Sequence, residues 1–189
     1  MPSRNLQALM LPRVQGLPRR RVQDHINRVI QRQLREALRQ LNYGRRDVNV
    51  YPSFTNSVNE NGVSSSYTDI YGYQQGAAHG LTLRRSFTFN LATGRLYQLS
   101  DLFQPGSNYI ERINNIIKEQ IEEQELPLIR TFESISPNQG YYLEYGNLVI
   151  YFQIYEYTPY SVGIPEFRIP YADLTDILAP NSPISRVKG

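Results

Sequence analysis

Cysteine is absent from the 189 residues, which excludes disulfides, thiolate metal sites and cysteine nucleophiles. Histidine is scarce, with only His25 and His79. Two histidines without cysteine cannot complete a zinc site by themselves, and no HExxH spacing occurs. No serine sits in a nucleophile-elbow motif, so a triad of His79 and Asp69 with one of Ser64 to Ser66 has no local signature behind it. Long apolar runs are missing as well: none approaches the ~20 residues of a membrane span, and no signal-peptide core follows Met1. The expectation is a chain with no membrane span and no cofactor. Either it acts where it is made, or an export signal or anchor has been removed from an ectodomain.

What is present is an ordinary globular balance, 40% apolar and 20% charged, in a chain long enough to bury one core. The net charge of +3 hides an asymmetry. Residues 1–46 carry 11 Arg against Asp24 and Glu36, a net of +9, and residues 47–189 carry a net of −6. Tyrosine is uneven too. Eight of the 15 fall between Tyr141 and Tyr171, where a rigid ring with a hydroxyl tip suits both a half-buried sheet and a recognition surface.

Apolar residues recur at three and four from Val22 to Leu41, which predicts an amphipathic helix over Arg21–Leu41, closed by Gly44. Arg28, Arg32, Arg35 and Arg39 form a second stripe beside the apolar one. Alternation predicts strands over 47–58 and 63–74, joined at Asn61-Gly62, and a third over 81–91, with a short fourth at 96–99. Leu9 to Leu11 is a candidate edge strand. Asn108 and Glu111 have capping-box spacing ahead of Ile110, Ile113, Ile117 and Ile121, which predicts a second helix stopped by Pro127. Strands follow at 141–145, 148–155 and 166–169, then a short helix at 172–178. The fold class expected is α+β: an antiparallel sheet with two main helices packed on one face. Residues 1–179 read as one domain, with a helix-and-hairpin half (1–75) and a C-terminal half (76–179), and 180–189 as a flexible tail.

Two places stand out as candidate sites. His79 and Gly80 lie in the loop Gly76-Ala77-Ala78-His79-Gly80, where the imidazole either bonds backbone or contacts a ligand. The stretch from Glu156 to Tyr171 is stiffened by Pro159, Pro165 and Pro170. With Tyr155, Tyr157, Tyr160, Glu156 and Glu166, it reads either as a structural bend or as a preorganised binding rim. Glu144, Glu156 and Glu166 could form an acid pair for sugar chemistry if two of them converged with His79. The arginine stripe is either a solvated helix face or a grip for polyanions. No nucleic-acid motif accompanies it, so nucleic acid is not an expected partner.

At these segments the sequence resembles the RsiV-like extracytoplasmic domain family, found in lysozyme-sensing membrane anti-sigma factors and in the N-terminal region of PdaC-type peptidoglycan deacetylases. The resemblance rests on residues 76–80, on FNLATGRLYQLSDLFQPGSNY at 89–109 and on the Tyr/Pro block at 141–171, with a weaker likeness at LPRVQGLPRRRVQDHINRVI. The chain holds neither the transmembrane segment nor the deacetylase domain of those proteins, and has Ala77 where relatives often have glycine. The resemblance implies helices against an antiparallel sheet, an extracytoplasmic location, and a non-catalytic module recognising a protein (lysozyme-like) or a cell-wall glycan. The other roles open at this point are an accessory or catalytic part in peptidoglycan modification, and polyanion binding.

Overall fold

The structure, a computed structural model, describes residues 9–187. Helix α1 (Arg20–Gln40) buries Ile26, Val29, Ile30, Leu34, Ala37 and Leu38 on one side, as the three-and-four spacing demands. It ends where Asn42 and Gly44 take positive φ, at 56° and 104°, a conformation these residues tolerate best. Leu9 to Leu11 forms no strand. Leu9, Leu11, Val14 and Leu17 instead pack against the α1 cluster, because Asn27 exchanges hydrogen bonds with the backbone of Val14 (2.8 and 3.0 Å) and so holds the segment along the helix.

Strands β1 (Val48–Glu60), β2 (Val63–Gln74) and β3 (Leu81–Asn90) make the first antiparallel sheet, in that spatial order. Asn61-Gly62 makes the two-residue turn, both with positive φ, as expected of a primed hairpin turn. One face of the sheet presents Val50, Ile70, Phe87 and Phe89 to α1. The segment expected as a fourth strand makes only a single bridge, Leu96 to Phe89, then winds into a 3-10 turn at Leu99–Leu102.

Helix α2 (Tyr109–Glu123) forms without the predicted cap: the Asn108 side chain makes no capping hydrogen bond. A reciprocal cap exists ten residues earlier, where Gln98 N–H donates to Asp101 Oδ2 at 2.8 Å. Strands β4 (Tyr141–Glu144), β5 (Asn147–Tyr151) and β6 (Glu166–Pro170) build the second antiparallel sheet. The strand expected to reach Tyr155 stops at Tyr151: Phe152 N–H still bonds Pro165 O in register, but proline has no N–H to continue the ladder, and Tyr155 turns to φ +67°. The fold is α+β with antiparallel pairing and two α-helices, and its strands are shared between two sheets.

Side-chain alternation orders the layers. One face of the second sheet gives Leu143, Leu148, Ile150, Phe167 and Ile169 to a core with Ile113 and Ile117 of α2. The other face gives Tyr142, Val149 and Tyr151 to a small cluster that includes Tyr67 of β2. The helices therefore lie outermost, on opposite sides, and the sheets face one another between them.

The tail does not fray at 180. Tyr171–Ile177 and Pro183–Arg186 are 3-10 turns, Ile184 and Val187 join the α2 core, and Asn61 Nδ2 donates to Arg186 O at 2.8 Å. Few apolar residues sufficed because each one is buried. Replacing Ile184 by Ala should therefore cost about 2–4 kcal/mol of stability, measured as a lower urea midpoint; an unchanged midpoint would show the tail to be unpacked in solution.

Candidate functional site

Between the sheets lies a buried arginine. Arg84 on β3 stands directly across from Asp69 on β2, and its guanidinium grips that carboxylate with two parallel bonds, Nε–Oδ1 and Nη2–Oδ2, both 2.7 Å. Nη1 bonds Glu166 of β6. The guanidinium carbon sits 4.0 Å from the Tyr67 ring centroid and 5.4 Å from that of Tyr151, a cation–π arrangement that strengthens as water is excluded. Arg168 extends the network outward, with Nε and Nη2 on Glu144 at 3.0 and 3.2 Å and Nη2 on Glu166 at 2.9 Å.

The electrostatics follow from this packing. Burial works against the charge of Arg84, yet Asp69 and Glu166 outweigh it and hold the guanidinium above the ordinary arginine value. Burial likewise pushes the Glu166 carboxyl up, but hydrogen bonds and charge from Arg84 and Arg168 bring it below the ordinary glutamate value. The hydroxyls of Tyr142 and Tyr151 are pushed up mainly by burial, so both stay protonated and available as donors.

The same arginine anchors the proline-stiffened segment. The Gln153 amide accepts from Arg84 N–H and donates to Arg84 O, both at 3.0 Å, and so satisfies an outward edge of β3. Gln153 N–H in turn donates to Glu156 Oε2 at 2.8 Å. This fixes the turn on which Tyr155 sits, 49% exposed and with a left-handed backbone that is costly for a bulky residue.

That turn meets the 76–80 loop. His79 stacks on Tyr160 with ring centroids 3.9 Å apart, and its Nε2 lies 3.3 Å from the Tyr155 hydroxyl. Its Nδ1 is 3.0 Å from Gly80 O. A neutral imidazole protonated at Nδ1 donates to that carbonyl and accepts the tyrosine proton, which satisfies both nitrogens. Gly80 has to be glycine here, because a Cβ would collide with the Tyr71 ring and the Gly72 carbonyl oxygen. Pro159 leads into the 3-10 turn Tyr160–Val162, and Gly163 leaves it at φ 77°.

Of the residues singled out from sequence, His79, Gly80, Tyr155 and Tyr160 come together. Tyr157 does not join them. Its ring packs against Phe152 and Phe132, at 4.8 and 5.3 Å between centroids, under Arg130, so it supports the rim from behind. Glu156 and Glu166 also have supporting positions, the first on Gln153 and the second in the ion network.

The acid-pair reading loses its footing. Glu144 and Glu166 converge, but on Arg168, and no hydrogen bond joins either to His79 among the described residues. The serine triad separates as well: Ser65 Oγ bonds Thr88 and accepts from Leu143 N–H, and Asp69 is taken by Arg84. Among the described residues no group of three or more His, Asp or Glu could hold a metal ion, and no helix is long and apolar enough to cross a membrane.

Arg28, Arg32, Arg35 and Arg39 lie exposed along the outer side of α1. Helix α2, whose last turns carry Glu119, Glu122 and Glu123, packs on the other sheet and so does not lie against this stripe.

Sequence reasoning missed Arg84, Arg168 and Gln153. A signal existed for the first: Asp69 and Arg84 are charged at positions where strand alternation points between the layers.

Residues 100–172, which hold α2, the whole second sheet and the proline-stiffened segment, match the family model described as Protein of unknown function (DUF3298). No curated protein matches. A DUF3298 family protein from Pseudomonas aeruginosa PAO1 is similar in structure, with a TM-score of 0.67 and 19% identity over 86% of this chain and 82% of that one. A DUF3298 family member from Bacteroides fragilis gives 0.60 and 18%, over 88% and 68%. At these identities the likeness is one of fold, and it spans both sheets.

The Glu166 shift has a measurable consequence. Its carboxyl titrates below 4.5 when folded and near 4.5 when unfolded, so on acidification the unfolded chain takes up the proton first. The stabilisation is then complete above pH 4.5 and is lost as pH falls through the folded value. Glu166→Gln should cost about 1–3 kcal/mol at pH 7 and much less at pH 3, read from urea midpoints. A pH-independent difference would contradict the assignment.

Proposed function

We propose that this chain is a non-catalytic binding module of the cell envelope, recognising a protein of the lysozyme kind or a peptidoglycan-type glycan through the patch of His79, Gly80, Tyr155 and Tyr160. The observation that carries this reading is Tyr155. An exposed tyrosine is kept in a left-handed backbone conformation by Gln153 and its neighbours, with its hydroxyl on His79. A core that only needed to close a loop would fill that position with glycine or asparagine at lower cost. A strained, exposed, fixed aromatic is the pattern of a ligand contact.

Rigid aromatic anchors lower the entropic cost of recognition, and Tyr ranks high among residues that dominate interfaces. The RsiV-like resemblance of residues 76–80 and 141–171 supports the same reading, and with it an extracytoplasmic location and the narrower kinship with anti-sigma and deacetylase domains. Of the carboxylates near the patch, Glu144 and Glu166 are held by arginines and Glu156 accepts from Gln153 N–H, an arrangement that favours a structural role for them over a division of labour between acid and base.

Calorimetric titration of the purified chain with lysozyme and with soluble muropeptides tests the proposal. Binding to one of them, weakened about tenfold or more by His79→Ala or Tyr160→Ala, is expected; silence with both overturns it. Tyr155→Gly separates function from folding. It should leave stability unchanged or raise it by up to about 1 kcal/mol, because glycine adopts this backbone without strain, while binding falls. A variant that binds as tightly as the parent would assign the turn a purely structural role.

A further inference from the structure

We infer that the outer face of α1 is a docking surface for a linear phosphodiester polymer that carries no bases. Arg28, Arg32, Arg35 and Arg39 follow one another at four, three and four residues, which places about one guanidinium per turn along ~16 Å of helix. All four are exposed. Arg32 and Arg35 carry no partner among the described residues, and Arg28 Nε reaches only the backbone oxygen of Asp24, at 3.3 Å. Arg39 is paired with Glu36, both well exposed, a kind of contact worth no more than about 1 kcal/mol and readily exchanged.

Beyond the helix end, Arg85 of β3 donates to Gln40 Oε1 at 3.0 Å and prolongs the cationic line. Asp24 and Glu36 are the acids of the helix itself, and Arg20 stands 4.0 Å from Asp24. The surface is strongly positive over its length.

Three features narrow the partner. Every cation in the row is arginine, whose planar fork meets phosphate with two bonds where lysine offers a point charge. The apolar face of α1 is spent, with Ile26, Leu34 and Ala37 wholly buried, so the helix has nothing to insert into a lipid surface. Residues 20–40 contain no Phe, Tyr or Trp, so the helix lacks the aromatic platform on which successive bases of a single strand stack. A row of forks without rings or grease suits a phosphate chain whose repeating unit is a small polyol or sugar.

Binding of fluorescent poly(glycerol phosphate) to the full chain, followed by anisotropy across a salt series, tests the inference. Four phosphate contacts should give a slope of log affinity on log salt near −3, taking about 0.7 per contact for a flexible single chain. The variant R28Q/R32Q/R35Q/R39Q should lose at least tenfold in affinity and most of the slope. Its helicity should be retained, since Gln and Arg have similar helix propensities, and circular dichroism verifies this. The matching Arg→Lys variant should bind more weakly than the parent. No binding overturns the inference, as does equal binding of polyglutamate, tighter binding of single-stranded DNA, or binding confined to anionic vesicles.

Discussion

A guanidinium buried between two sheets is tolerable only when its charge and all its donors are answered, and the middle of this fold is arranged around that requirement. Arg84 takes Asp69 from its own sheet, Glu166 from the opposite one and the face of Tyr67. Removing one partner of such a group costs more than the pair contributes, because the remaining charge is stranded. The network therefore acts less as a source of stability than as a specification. The two sheets can meet at one angle and one register, and sliding either of them leaves a charge unanswered.

The proposed recognition patch inherits this specification. Gln153 is bonded to the backbone of Arg84, Tyr155 is two residues further along, and His79 descends from the far end of β2. The patch is thus assembled from two loops whose anchors lie in different sheets. Its geometry is set by the interlayer contacts, well below the rings that face solvent, which is how a loop-borne site acquires the rigidity of a scaffold.

Local signals in the sequence went far with elements and less far with their assembly. Helix α1, the hairpin at Asn61-Gly62 and strand β3 are legible because each is written in its own periodicity or turn residues. The division into two sheets is not, since it depends on which faces meet, and the same alternation is compatible with one sheet or two. Asn108 and Glu111 had the spacing of a cap without the backbone geometry to use it, while the cap that forms pairs Gln98, in a segment read as strand, with Asp101 just beyond it. For the site, His79 and the Tyr/Pro stretch were visible through their composition. Their meeting was not, because it is made by Gln153, a residue with no distinguishing local pattern. Tyr157 looked the same as Tyr155 and Tyr160 in sequence, and only packing shows that it faces the core.

The Gln153 amide has a further effect on the sheet that it touches. By occupying both backbone groups of Arg84 it covers the middle of the outer margin of β3, whose far end is met by Arg95 to Tyr97, leaving β1 as the opposite margin of the first sheet, with no strand paired on its outer side among the described residues. Along β1 the run between Asp47 and Glu60 carries no charge, and Tyr51 and Phe54 are exposed there. Resistance to unwanted strand-to-strand aggregation on that side then falls to two local irregularities, Pro52 and the register shift between Asn56 and Val58, which interrupt the pattern an incoming strand would have to match. Solubility at high concentration is thus tied to a proline and a bulge on the side of the sheet away from Gln153.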